Sequence, residues 1–327
     1  MQIKTIATIC TGGGILEQGA IAAGLTPIWG VEINERVSEL YWLNYPDSDI
    51  YLQDARLIDW SKLESPDILH ASPSCRNFSI AGKQVETDDD VSVAVAIGDA
   101  IAALKPSYFT LENTPGYRTS KSWHTLRWLI ENLGYSVKEW VCDLWLWGVP
   151  QNRRRFIAIA SLGSKAPDLI PPNRTVSWHE SIADLIPSLA PCELSGSQKN
   201  NIHPKTQAAI ARGETVLLKR NQIRGFTPCA YQSNPYCWTV TATLCTDHKG
   251  SNRGLFANLV TPDGCFNLTT RCLARIQTIP DSYKLIDKIG VDGLAIGDGV
   301  PPAFAQSLFS TLLNLPSLKA KDSHIDS

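Results

Sequence analysis

An α/β fold with a doubly wound, mostly parallel sheet is predicted by three observations. Apolar runs rich in β-branched residues recur at residues 3–9, 26–31, 50–53 and 66–71. Helical stretches alternate with them, as at residues 15–23 and 91–104. Several of the runs end in a turn that presents glycine, an acid or a cysteine, and loops at the edge of a rigid sheet are where sites are built.

Taken in order, residues 3–9 read as a buried first strand. Cys10-Thr11-Gly12-Gly13-Gly14 follows as a tight turn, because glycine admits backbone conformations closed to other residues and lets a ligand approach the chain. The helix at residues 15–23 stops at Gly24. The second strand, 26–31, carries Glu32 at its end with Ile33 next to it, where an acid can accept hydrogen bonds from both hydroxyls of a ribose. Asp54 follows the third strand and can accept from an adenine amino group. The run 66–71 ends in Ser72-Pro73-Ser74-Cys75-Arg76, which puts one cysteine at a loop tip. Taken alone, Cys75 fits a small buried hydrophobe better than a nucleophile.

Two later tips change that reading. Tyr108-Phe109-Thr110-Leu111-Glu112-Asn113 is a strand with a polar end, and Gln151-Asn152-Arg153-Arg154-Arg155 leads into the apolar run 156–160. Between Cys75 and the helix at 91–104, residues 80–90 are polar, contain Gly82 and Asp88-Asp89-Asp90, and read as a mobile loop. A helix is expected at 122–133, where Trp123, Leu126, Trp128 and Leu129 suit core packing, and further strands at 137–147 and 156–160. From about 162 to 259 the alternation stops and Pro and polar residues rise. The expected division is therefore 1–161, 162–266, a C-terminal segment 267–318 that returns to the first part, and a frayed tail 319–327.

Bulk properties exclude several classes. With 327 residues and 43% hydrophobic composition, the chain can bury a sizeable core. No run reaches the ~18 apolar residues that span a bilayer, so no membrane partner is expected and a cytoplasmic location is. Nine cysteines include no Cys-x-x-Cys pair. Cys229, Cys237, Cys245, Cys265 and Cys272, with His248 nearby, fit no zinc spacing, so reduced thiols and no metal are expected. The formal net charge of −2 hides an asymmetry. Residues 1–150 hold 11 Lys+Arg against 19 Asp+Glu, whereas residues 199–224 hold six cations, among them Lys219, Arg220 and Arg224, against Glu214 alone. That stretch is a candidate phosphate-binding face.

The ordered set of tips resembles the cytosine-C5 DNA methyltransferase family nearly end to end. The family's Pro-Cys loop looks like Pro73–Ser79 with Cys75 as nucleophile; its Glu-Asn looks like Glu112-Asn113, and its Gln-x-Arg-x-Arg like Gln151, Arg153 and Arg155. Its glycine turn falls on residues 10–15, with Cys10 for the aromatic residue and Ile15 for the last glycine. Cys237-Trp238-Thr239-Val240-Thr241 resembles its Pro-Thr-Ile-Thr segment, and residues 268–281 resemble the segment that seats its recognition domain. Residues 296–302 resemble its Gly-Asn-x-Val-Pro-Pro, with Asp298 for Asn. Ser74 and Arg76 replace the usual Pro and Gln beside the cysteine.

The resemblance implies a Rossmann-like methyltransferase domain with a small, irregular target-recognition domain. It implies an S-adenosylmethionine site at Cys10, Gly12, Gly13, Gly14, Glu32, Ile33, Asp54, Pro73 and Asp298. Cys75 would add to C6 of a cytosine flipped out of duplex DNA, with Glu112 at N3, Arg155 at O2, and Arg153 orienting Glu112 and the cysteine loop. Arg76, Gln151, Lys219, Arg220 and Arg224 would meet DNA, and Arg76 would contact a phosphate or lower the pKa of Cys75. A monomer located at the nucleoid, with a cognate restriction nuclease, is the expected setting. The alternatives are a tRNA cytosine-C5 methyltransferase, whose Cys-Phe-Thr signature has no match here, and a catalytically weak DNA-binding member of the same fold.

Overall fold

The computed structural model describes residues 3–79, 84–219, 229–242 and 257–313. The first part runs β1 (Thr5–Ile9), α1 (Ile15–Ala23), β2 (Thr26–Glu32), α2 (Glu35–Asn44), β3 (Asp49–Leu52), β4 (Ile68–Ala71), α3 (Asp88–Leu104), β5 (Tyr108–Asn113) and α4 (Lys121–Asn132). It closes with β6 (Tyr135–Asp143), the short β7 (Gln151–Asn152) and β8 (Arg154–Leu162). Seven of these strands form one sheet in the order β3-β2-β1-β4-β5-β8-β6. The β3-β2-β1-β4-β5 portion is parallel, and β8 runs antiparallel to both β5 and β6.

Local chemistry sets the ends of the helices. Gly14, in a left-handed conformation, starts α1 and Gly24 ends it. The Asn34 side chain caps α2, and the Ser120 hydroxyl caps α4. Helix α3 differs from expectation. Asp88-Asp89-Asp90 is its first turn, with a capping box between Thr87 and Asp90. Three acids suit that place because the exposed N–H groups and the helix dipole favour negative charge there. Asp90 Oδ2 also accepts from Asn77 Nδ2 at 2.8 Å, so the triplet anchors the cysteine loop. Residues 80–83 lie outside the described residues.

Beyond Leu162 come a 3-10 segment (Glu180–Ser188), α5 (Gly196–Asn200), α6 (Pro204–Ala211), β9 (Val216–Lys219), β10 (Cys229–Tyr231) and β11 (Cys237–Trp238). β12 (Ala257–Thr261) and β13 (Gly264–Asn267) complete an antiparallel sheet ordered β10-β9-β12-β13, while β11 pairs with β7. The chain then returns through α7 (Thr270–Ile276), α8 (Ile289–Asp298) and α9 (Pro302–Leu313). Helix α9 packs so closely on α1 that a Cβ on Gly19 would stand 2.5 Å from the Pro302 carbonyl oxygen. Residues 314–327 lie outside the described residues. Among the described residues no helix is long and apolar enough to cross a membrane.

Candidate active site

Strand order reverses at the β1–β4 pair, and the tips of β1, β2, β4 and β5 enclose a cavity of about 500 Å³ there. Diverging loops at such a switch point open a crevice that helices cannot fill.

One end of the cavity is built by the glycine turn. Gly12 and Gly14 are both left-handed, at φ +60° and +78°, for different reasons. A Cβ on Gly14 would lie 2.3 Å from the Tyr45 ring, whereas one on Gly12 would meet nothing within 4 Å and would project into open space. The N–H of Gly12 donates to Glu32 Oε2, and the N–H of Asn34 to Glu32 Oε1, both at 2.8 Å. Each carboxylate oxygen keeps a lone pair, which suits the two hydroxyls of a ribose. Ile33, 67% exposed, adds an apolar wall. Burial, reinforced by Glu32 and Asp54, pushes the Cys10 thiol up to about 12, so it stays neutral beside this acid. The residues present therefore fit a nucleoside cofactor.

Asp54 does not join them. It is absent from the cavity lining, and Arg56 takes both its oxygens, with Nε 3.0 Å from Oδ1 and Nη2 2.6 Å from Oδ2. The same guanidinium reaches Asp89 at 2.8 Å. In place of the free acceptor expected for adenine there is a carboxylate that the Arg56 hydrogen bonds hold below its usual range.

At the other end, parallel pairing of β4 with β5 brings the Cys75 loop beside Glu112. Asn113 Nδ2 donates to the Pro73 carbonyl at 2.8 Å and pins that loop. Arg155 Nε stands 2.8 Å from Glu112 Oε1 as an ion pair without hydrogen-bond alignment, and Oε1 is buried with no hydrogen-bond partner. Behind Oε2, at 3.5 Å, is the Ser72 hydroxyl, which bonds His70 Nε2 at 2.8 Å, while His70 Nδ1 bonds Thr110 at 2.8 Å. Burial depresses His70 to about 3, so this chain is neutral. Burial also raises the Cys75 thiol, as do Asp298 and Glu112, against Arg155 and Arg153. Arg76 does not figure among the groups acting on the thiol. Its charge acts on Asp298, whose carboxyl is raised by burial against Arg153, Arg76 and Arg155.

Two expected roles change place. Gln151 is fully buried rather than free to meet DNA. Its Nε2 donates to Ile276 O at 3.1 Å and to Gln277 Oε1 at 2.6 Å, and its Oε1 accepts from Val240 N at 2.9 Å. Arg153, also fully buried, makes no hydrogen bond to Glu112; its Nη atoms donate to the carbonyls of Val240, Gly297 and Gly299 at 3.0–3.3 Å. Burial lowers its pKa to about 9, still charged at neutral pH. Gln151 ties the segment after β11 and the end of α7 to β7, and Arg153 ties the same segment and the end of α8 to the start of β8. Lys219 sits 5.1 Å over the Trp238 ring, and burial lowers its pKa. Arg220, Arg224, Cys245 and His248 lie outside the described residues, among which no metal-holding cluster occurs.

Sequence reasoning passed over Glu17, His70 and Ser72, all lining the cavity. The available signals were an acid in the first turn of an otherwise apolar helix and a histidine inside a buried strand.

A model of the family described as C-5 cytosine-specific DNA methylase matches residues 4–314. The type II methyltransferase M.MthTI of Methanothermobacter thermautotrophicus is 24% identical over 328 residues, covering 93% of this chain and 95% of its own. The tRNA (cytosine(38)-C(5))-methyltransferase of Homo sapiens is 26% identical over 181 residues, 53% of this chain and 46% of its own. The solved structure of the Entamoeba histolytica methyltransferase EhMeth aligns with a TM-score of 0.68 at 14% identity, covering 95% and 98% of the two chains. At that identity it shows the fold.

Proposed function

The chain belongs to the C-5 cytosine-specific DNA methylase family, and on that premise we propose that it methylates C5 of a cytosine flipped out of duplex DNA. S-adenosylmethionine, the methyl donor of this family, would supply an electrophilic methyl at the sulfonium. One observation carries the reading: Cys75, Glu112 and Arg155 share a cavity with the Glu32 cradle.

In that role Cys75 attacks C6 as the thiolate, and C5 becomes enamine-like. Glu112 gives a proton or short hydrogen bond to N3 through Oε1, which makes no hydrogen bond of its own, as charge develops. Arg155, already against that oxygen, holds the carboxyl in place and faces O2. Attack of C5 on the methyl, loss of the C5 proton and elimination of Cys75 release 5-methylcytosine. Burial, Asp298 and Glu112 raise the Cys75 pKa, so they disfavour the attacking thiolate in the resting site. A base reaches this enclosed cavity only after leaving the stack, at a cost of about a few kcal/mol. We assign residues 162–266 to target recognition, with Arg76 at the cavity mouth and Lys219, Arg220 and Arg224 toward phosphate. A nuclease of matching specificity is the partner expected for a type II system.

Resemblance to the human tRNA enzyme gives the second reading. Tritium transfer from labelled S-adenosylmethionine to duplex DNA and to bulk tRNA, in wild type and Cys75→Ser, separates them. Cys75-dependent label in DNA is expected; label in tRNA alone would move the substrate to RNA.

A further inference from the structure

Glu17 lines the cavity together with Glu32, Glu112 and Asp298, and the reaction above has no use for it. It is fully buried in the first turn of α1. Its Oε1 accepts the hydroxyls of Thr8 at 2.6 Å and Thr11 at 2.5 Å. Its Oε2 is buried and has no hydrogen-bond partner. Burial raises its pKa, the two threonine hydroxyls oppose this, and no cation acts on it. A buried carboxyl oxygen without a donor is costly unless a ligand supplies one.

Its position indicates which donor. Thr11 is tied to Glu17, and the next residue, Gly12, is tied to Glu32. Two carboxylates therefore bracket one peptide unit, whose Cα atoms stand ~3.8 Å apart. Gly12 faces open space between the two acids, so a 5′ substituent on a ribose held by Glu32 would have a path past it toward Glu17. In S-adenosylmethionine that substituent carries two cationic groups. The sulfonium must present its methyl to the Cys75 end, which leaves the amino-acid end for the inner wall.

We propose that Glu17, held by Thr8 and Thr11, binds the α-ammonium of the methionine portion of the cofactor through Oε2. The inference rests on the cofactor reading above. Three N–H donors of an ammonium satisfy the open oxygen, and the two hydroxyls fix the carboxyl so that little is lost on binding.

Calorimetric binding of S-adenosylhomocysteine and of its desamino analogue, in which hydrogen replaces the α-amine, tests this without turnover. Wild type should prefer the amine-bearing compound by about tenfold or more, the range of a hydrogen bond to a charged group. Glu17→Gln should lose that preference, while its affinity for the desamino analogue changes by less than about threefold. That retained affinity also shows that the variant is folded. A preference unchanged in Glu17→Gln, or an equal loss for both compounds, would overturn the proposal. Should the glutamine variant not fold, Glu17→Asp and the wild-type ratio decide: wild type that does not discriminate overturns the proposal with the cofactor reading intact. Wild type that binds neither compound removes the cofactor reading and this inference together.

Discussion

The C-terminal edge of the parallel sheet and the small antiparallel sheet both bury polar side chains, and they use them differently. Around the small sheet the groups satisfy those of neighbouring helices: Gln198 Nε2 of α5 donates to Asn258 Oδ1 at 2.9 Å, and Thr206 of α6 bonds Tyr231 at 2.9 Å. At the edge of the parallel sheet the chains of bonds run outward and stop open. Thr8 and Thr11 lead to Glu17, whose Oε2 has no hydrogen-bond partner, and Thr110, His70 and Ser72 lead to Glu112, whose Oε1 makes no hydrogen bond and meets Arg155 only as an ion pair. A closed polar network holds a fold together, whereas one ending in an unspent acceptor at a cavity wall is prepared for a ligand.

That contrast breaks if the open groups prove structural or the closed ones functional. The largest effect is expected at Glu112→Gln, which keeps the shape and removes the acid: kcat for methyl transfer should fall roughly 10²- to 10⁴-fold, with the unfolding midpoint nearly unchanged. Arg153→Met tests a group turned to the interior beside the same cavity, its Nη atoms bonded and its Nε without a hydrogen-bond partner. Three carbonyls lose a buried charged donor, so urea unfolding should show a loss of about 3 kcal/mol. A smaller loss, about 1–2 kcal/mol, is expected for Asn258→Ala in the small sheet, with cofactor affinity unchanged. Equal damage to cofactor binding there would erase the distinction between the two regions.

Asp298→Asn sharpens the picture with a change of sign. Asp298 raises the Cys75 thiol pKa, so neutralising it should lower that pKa and increase the thiolate fraction at neutral pH. Iodoacetamide alkylation of Cys75, followed against pH, should therefore begin at lower pH in the variant. A curve shifted upward or left in place would show that the carboxyl does not act on the thiol.

Much of the fold was legible in the chain. Glycines at 12, 14 and 24 and the β-branched runs marked β1, α1 and β2 within a residue or two, because strand and helix periods and left-handed turns are local properties. The strand tips carrying Glu32, Cys75 and Glu112 were visible for the same reason. Asp88-Asp89-Asp90 misled, since an acidic triplet reads equally as a solvated loop or a helix start, and only the bonds of Thr87 and Asn77 to Asp90 decide.

By itself, then, the sequence determined the order of strands and helices and the turns at which reactive side chains are presented. Tertiary structure decided which of those side chains face a ligand. Gln151 meets Gln277 across 126 residues, and Arg153 meets Gly299 across 146, so two residues of one short motif were claimed by the interior. Asp54 went to Arg56, while Glu17, inconspicuous in an apolar helix, was left with an oxygen to spare. Whether a polar atom is spent or open depends on partners far away in the chain, and burial makes that difference costly enough to matter.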